Sequence, residues 1–197
     1  MKKIWKIILI IISALIVLYI VSAMTLLHLY RIKSNAMLPT LGMNTRILAQ
    51  TFGSEFSPGD LVVYKVGDKS FAKRIIAVGG DIVKIKSDGR IEINGVAVKQ
   101  EYIGDETRIL EITSASGKPE PINVPFKKYT EILSDAKSYQ IFKTDNQNPF
   151  FGEYHVPIGS VFVMGDNRDM SLDSRAPQVG YIKQHGLRKV IKVINKE

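Results

Sequence analysis

Three short segments hold residue types that could do chemistry, and none of them decides a function alone. The first is Ser34-Asn35-Ala36-Met37-Leu38-Pro39-Thr40-Leu41. An apolar Met-Leu-Pro so close to an apolar N-terminal run reads just as well as a stiff linker. The second is Phe71-Ala72-Lys73-Arg74-Ile75-Ile76-Ala77-Val78-Gly79-Gly80-Asp81, which puts two cations inside an apolar strand. Side chains alternate across a strand, so one of the two should face inward. An amine pushed into an apolar site loses hydration, which disfavours its charged form. Once neutral, it can serve as a general base near pH 7. A single lysine on a strand is more often an edge residue that discourages aggregation. The third is Met164-Gly165-Asp166-Asn167-Arg168-Asp169-Met170-Ser171-Leu172-Asp173-Ser174-Arg175. Such a dense set of charges and hydroxyls suggests a self-bonded loop that supports a site, or simply an Asp/Asn turn bound to its own backbone. It lacks the glycine and glutamate spacing of an EF-hand calcium loop.

Taken together, the three segments resemble the boxes of the type I signal peptidases, which are Ser/Lys proteases. The first box of that family reads S-x-S-M-x-P-T-L, against S-N-A-M-L-P-T-L here. The lysine box reads roughly K-R-[IV]-[IV]-x-x-x-G-D, against K-R-I-I-A-V-G-G-D. The last reads G-D-N-R-D-x-S-x-D-S-R and is matched throughout. Their order and the 37-residue step from Ala36 to Lys73 also fit.

The resemblance implies roles position by position. Position 36 would carry the nucleophilic serine and Lys73 would be the general base that activates it. Ser34 would help hold the oxyanion together with the backbone N–H of residue 36. Ser171 would orient the lysine amine. Asp173 and Arg175 would form a supporting pair, and Gly165, Asp166, Asn167 and Arg168 would shape the loop beneath the site. Met37 and Pro39 would help seat an extended peptide with small side chains before the cut. No metal and no cofactor is implied.

The chain departs from the pattern at two places. Ala36 stands where the nucleophile belongs, and a methyl group cannot attack a carbonyl. By analogy with loss of a catalytic serine, turnover should fall by about 10⁶-fold. Either a serine was changed deliberately to alanine or the protein is a natural signal-peptidase-like form that binds without cutting. The retained Lys73, Ser34 and Ser171 favour the first reading. The second departure is the spacer Ala176-Pro177-Gln178-Val179 before Gly180, where the family usually has two residues.

The elements that must position these segments are legible in outline. Ile7 to Leu27 is a run of 21 residues without charge. At about 1.5 Å per residue, a helix of that length crosses roughly 30 Å of hydrocarbon. A cleaved secretory signal is the rival, with Val21-Ser22-Ala23 as its cleavage site. The apolar run exceeds the usual length of such a signal, so a retained single-pass anchor is expected. Lys2, Lys3 and Lys6 before the run favour a cytoplasmic N-terminus and an extracytoplasmic remainder. Residues 1–29 are therefore assigned to the N-terminal start and anchor, and 30–197 to a peptidase domain.

Within that domain the pattern changes to short strands: Arg46–Gln50, Asp60–Lys65, Phe71–Val78, Ile82–Lys86, Arg90–Ile93, Val96–Val98, Ser160–Met164 and Lys189–Ile194. A Gly/Ser/Pro-rich loop is read from Gly53 to Gly59, and Asn94-Gly95 signals a hairpin. The expected class is mostly β, a contorted antiparallel, partly closed barrel core spanning 30–103 and 158–197. The polar stretch 104–157, with five prolines, reads as an inserted region with one short helix over Phe126–Lys137.

Composition narrows the partners. The net charge is +8, and setting aside Lys2, Lys3 and Lys6 leaves 24 basic against 19 acidic residues, or +5. The lysines are scattered and no helix-turn-helix or zinc pattern occurs, so nucleic acid is not an expected partner. Membrane lipid is, from the basic excess, and the resemblance implies exported preproteins as substrates. The chain has no cysteine, which excludes disulfides and thiolate metal sites.

Overall fold

The computed structural model describes residues 2–51, 55–113, 119–133, 137–145 and 150–195. It opens with a helix, α1 (Lys2–Leu26), that runs directly into β1 (Leu27–Arg31). There follow β2 (Arg46–Gln50), β3 (Leu61–Val66), β4 (Lys69–Val78), β5 (Ile82–Ile85), β6 (Ile91–Ile93) and β7 (Val96–Ala97). Then come β8 (Lys99–Thr113), β9 (Pro119–Leu133), β10 (Lys137–Lys143), β11 (Gly152–His155), β12 (Ser160–Met164), β13 (Ile182–Lys183) and β14 (Arg188–Asn195).

The strands form three antiparallel sheets. The largest has the order β1-β2-β14-β3-β4-β12-β13, a second runs β11-β5-β6-β7, and a third runs β10-β9-β8. The large sheet ends in two edges, β1 and β13, within the mostly antiparallel β class expected. β4 lies inside it, with Val62 opposite Lys73 on β3 and Met164 opposite Arg74 on β12. The lysine box and the start of the third segment are thus neighbours by strand pairing alone.

The periodic strands follow their residues. Ile82–Ile85 alternates exposed and buried positions, as a half-buried strand should. Val83, Ile85 and Ile91 meet Ile76, Phe162 and Met164 in a core shared by two sheets. Asn94 and Gly95 both have positive φ, 53° and 80°, the backbone that a two-residue hairpin turn requires. β14 does not close the sheet from outside. It sits between β2 and β3.

The expected short helix over Phe126–Lys137 is not there: residues through Leu133 belong to β9, and residues 134–136 lie outside the described set. β9 pairs along its length with β8 in a hairpin of two 15-residue strands. Pro119, Pro121 and Pro125 share one parity on β9. Their positions therefore all face one side of the strand, and β10 pairs with β9 only from Lys127 onward. Proline density there marks a half-open strand rather than a loop. The loop expected from Gly53 to Gly59 lies partly outside the described residues. Its described part ends in a turn at Gly59, whose φ is 89°.

Side chains of α1 are described for residues 3–18, 21 and 26, and Ile4, Trp5, Leu9, Ile10, Leu15 and Leu18 are all exposed. Among the described residues no helix is long and apolar enough to cross a membrane.

Candidate functional site

Ser34–Thr40 makes a compact turn after β1. Leu38 N–H donates to Asn35 O at 3.2 Å and Leu41 N–H to Met37 O at 2.8 Å. The Leu38–Pro39 peptide bond is cis. Met37 and Leu38 point inward, Met37 into a core with Ile47, Ala49 and Val63, and Leu38 against Phe126 and Phe142. These two anchors leave Ser34 exposed and Ala36 half-buried. Pro39 is also half-buried.

Lys73 is 3% exposed and Arg74 6%, so both cations of the lysine box face inward, on opposite sides of β4. Arg74 is fully met by partners. Its Nε donates to Asp166 Oδ1 at 2.7 Å and its Nη2 to Asp166 Oδ2 at 2.6 Å. Its Nη1 donates to Gly59 O at 2.8 Å, and the guanidinium lies 3.8 Å from the Tyr139 ring centroid. Asp166 also accepts a short hydrogen bond from Thr40 of the first segment. Lys73 has no ion-pair or hydrogen-bond partner among the described residues. Burial holds its amine down to about 8, the field of Asp173 opposes that shift, and Arg175 adds to it. Lys73 lines a cavity of about 540 Å³ that also contains Ser34, Met37, Val63 and Phe71.

The third segment leaves β12 and folds on itself. Asp173 accepts two bonds from Arg175, at 2.7 and 2.8 Å, and one from the Gly165 N–H at 2.9 Å. Burial raises the Asp173 carboxyl, and Arg175 beside it outweighs that and holds it below the usual range. Ser174 bonds back to Val163 N–H at 3.0 Å. Asn167 clamps the first segment: its N–H donates to Ala36 O and its Nδ2 to Asn35 O, both at 3.1 Å. Gly165 sits so close to Ser171 and Ala36 O that any side chain there would overlap both. Ser171 Oγ is buried and makes no hydrogen bond among the described residues, so the contact expected to orient the lysine is not formed there. In the long spacer, Val179 and Gly180 N–H both donate to Ala176 O, and Gly180 takes a positive φ of 59°.

The structure thus brings Ser34, Met37 and Lys73 to one cavity, and ties Ala36 to Gly165 and Asn167. The signal peptidase family, described as signal peptidase, peptidase S26, matches residues 4–194. The chain belongs to this family. Among relatives, signal peptidase I of Pseudomonas fluorescens is 31% identical over 164 residues, covering 74% of this chain and 54% of that protein. Signal peptidase I S of Bacillus subtilis is 30% identical over 149 residues, covering 74% and 65%. Signal peptidase I of Mycobacterium tuberculosis is 29% identical over 203 residues, covering 82% and 59%. The chain therefore spans between about half and two-thirds of the length of these curated relatives. A crystal structure of a signal peptidase I from Enterococcus faecalis overlays with a TM-score of 0.38 at 23% identity, over 72% of this chain and 98% of that one.

Two residues that bind this signal peptidase core together escaped the sequence reading. Thr40 and Glu131 each bond to an element of the site. Thr40 lay within a quoted box but gave no sign of its partner. Glu131 gave no sign at all, because an acid on a strand is ordinarily exposed.

Proposed function

We propose that this chain is a signal-peptidase-type serine endopeptidase scaffold whose nucleophile position is held by alanine, so that it is inactive as it stands. The observation that carries this reading is Lys73. A buried cation without a partner is costly, and a fold keeps one where the neutral form is useful. Its amine faces a cavity shared with Ser34, as a base for acyl transfer requires.

In the proposed mechanism, a hydroxyl at position 36 attacks the scissile carbonyl while Lys73 takes its proton. The Ser34 hydroxyl and the N–H of residue 36 hold the oxyanion. The protonated lysine returns the proton to the leaving amine, and water then opens the acyl-enzyme. Met37 and Pro39 seat the peptide. Asp173, Arg175 and the Gly165–Arg168 turn support the lysine side, and Ser171 engages the amine only once the nucleophile is in place. The substrates are exported preproteins.

The proposed setting is a membrane. The uncharged sequence Ile7–Leu26 within α1 supports an anchor, as do the apolar side chains exposed on every described turn. On this reading residues 1–29 form a cytoplasmic start and anchor, and 30–197 an extracytoplasmic domain.

The test is Ala36→Ser, incubated with a preprotein in detergent micelles. Cleavage after a small residue is the expected result. An inert serine variant with Lys73 intact would remove the reading. A second reading, a natural non-catalytic protein that holds extended peptides during surface assembly, is favoured by Ala36 itself. It predicts that the chain as it stands binds peptide and that a serine at 36 adds nothing.

A further inference from the structure

Glu131 lies on the hairpin outside the three boxes, yet it is fully buried and fully bonded. It accepts two bonds from Arg168, one from Nη1 at 2.7 Å and a shorter one from Nη2. Gln100 Nε2 of β8 donates to it at 2.6 Å, and the Tyr139 hydroxyl of β10 at 2.5 Å. All three strands of the third sheet therefore converge on one carboxylate, and its charge partner belongs to the site loop.

Arg168 passes that constraint on. Its Nε donates to Gly165 O at 3.1 Å, its N–H to Phe142 O at 2.9 Å, and its carbonyl accepts from Arg175 Nη2 at 2.5 Å. Phe142 N–H in turn donates to Asp166 O at 2.9 Å, so the loop lies along β10 as a short extra strand. Gly165 and Asn167 are the residues that meet Ala36 O. Glu131 is thus two side chains away from position 36. Tyr139 supplies a second tie, because its ring faces Arg74, the partner of Asp166.

We propose that Glu131 is a positioning residue: from the inserted sheet, through Arg168, it sets the height of the site loop under residue 36. A pair placed only for stability would have no reason to join the hairpin to this loop through a single carboxylate shared by three strands. Misplacing reacting groups by about 1 Å can cost on the order of 10²-fold in rate, so a distant carboxylate can matter this much. The rate consequence rests on the peptidase reading; the positioning itself does not.

Two measurements separate these. In the chain as it stands, Glu131→Gln should speed amide hydrogen exchange at Phe142, Asn167 and Arg168 by about tenfold or more. Protection of the Val83–Ile93 ladder should be unchanged. In the Ala36→Ser protein, the same substitution should lower kcat by about 10–100-fold and leave KM within about twofold. Leu187→Ala, in the core with Val62, Tyr64 and Val161 that no residue of the third sheet joins, is the stability control and should change neither kcat nor the loop exchange. Tyr139→Phe is the gentler variant, which decides the matter if Glu131→Gln does not fold. If both variants lower Tm as the control does, without faster exchange at those three amides, Glu131 is only a core filler and the proposal is overturned. If Ala36→Ser alone fails to cleave, the peptidase reading falls while the exchange result still decides the positioning role.

Discussion

Lys73 and Arg74 are adjacent on β4 and almost equally buried, yet their surroundings differ completely. On the Arg74 side, a carboxylate, a carbonyl, a hydroxyl and an aromatic face meet every part of the guanidinium. On the Lys73 side, hydrocarbon and an open cavity meet an amine with no ion-pair partner among the described residues. Arginine cannot shed its proton in a protein, so burying it requires compensation. Lysine can, so burying it without compensation tunes the proton instead. One side of the strand holds its charge with partners, and on the other burial lowers the proton affinity of the amine. The difference shows that equal burial can leave two adjacent cations in opposite electrostatic states.

The largest way to sharpen the comparison is to place a hydroxyl at the proposed nucleophile position. Ala36→Ser should raise peptide-bond cleavage by about 10⁶-fold over the alanine chain. Since the base must be neutral, kcat/KM should climb as pH rises and level off above about 8, where the amine has lost its proton. A profile flat from about pH 6 to 9 would contradict the assignment of Lys73 as base.

Next in size is to strip the compensated side. Asp166→Ala leaves Arg74 buried and unpaired, and urea unfolding should show a loss of about 3–5 kcal/mol. A change under about 1 kcal/mol would mean that the pair is not the support described here.

The uncompensated side should respond with the opposite sign. The folded pKa of Lys73 is depressed from 10.5 to about 8, so the folded state resists protonation. That cost is complete below about pH 8 and absent above about 10.5. Lys73→Met should therefore stabilise the protein by up to about 3 kcal/mol at pH 7 and by nothing measurable near pH 11. Thermal melts at the two pH values check this, and a destabilised methionine variant at pH 7 would overturn it.

The smallest expected effect concerns Ser171. Its buried hydroxyl has no partner, so Ser171→Ala should change stability by less than about 1 kcal/mol. In the Ala36→Ser background the same change should reduce turnover if Ser171 orients the Lys73 amine during proton transfer, as proposed. Equal turnover with and without it would leave Ser171 a packing residue.

Several strands were readable because alternation and turn residues are local signals. Arg46–Gln50 and Ser160–Met164 fall where apolar periodicity puts them, and Asn94-Gly95 makes its hairpin. The long hairpin was not readable. Its prolines look like loop residues until the register shows them on a strand paired with β8, beyond the stretch that β10 covers. β1, β11 and β13 are too short or too polar to announce themselves, and they exist because a neighbour offers a ladder to join.

By themselves, the residues determined the apolar start of the chain, its β character, the three boxes and their order, and the alanine at position 36. These rest on composition, period and spacing, which need no neighbours. Only the tertiary structure decided that Arg74 is paired while Lys73 is not, and that Ser171 Oγ stands alone. It also decided that Glu131, on a hairpin read as an elaboration, bonds the loop beneath residue 36. Pairing and desolvation depend on which groups from distant parts of the chain come within about 3 Å of each other, and no local pattern encodes that.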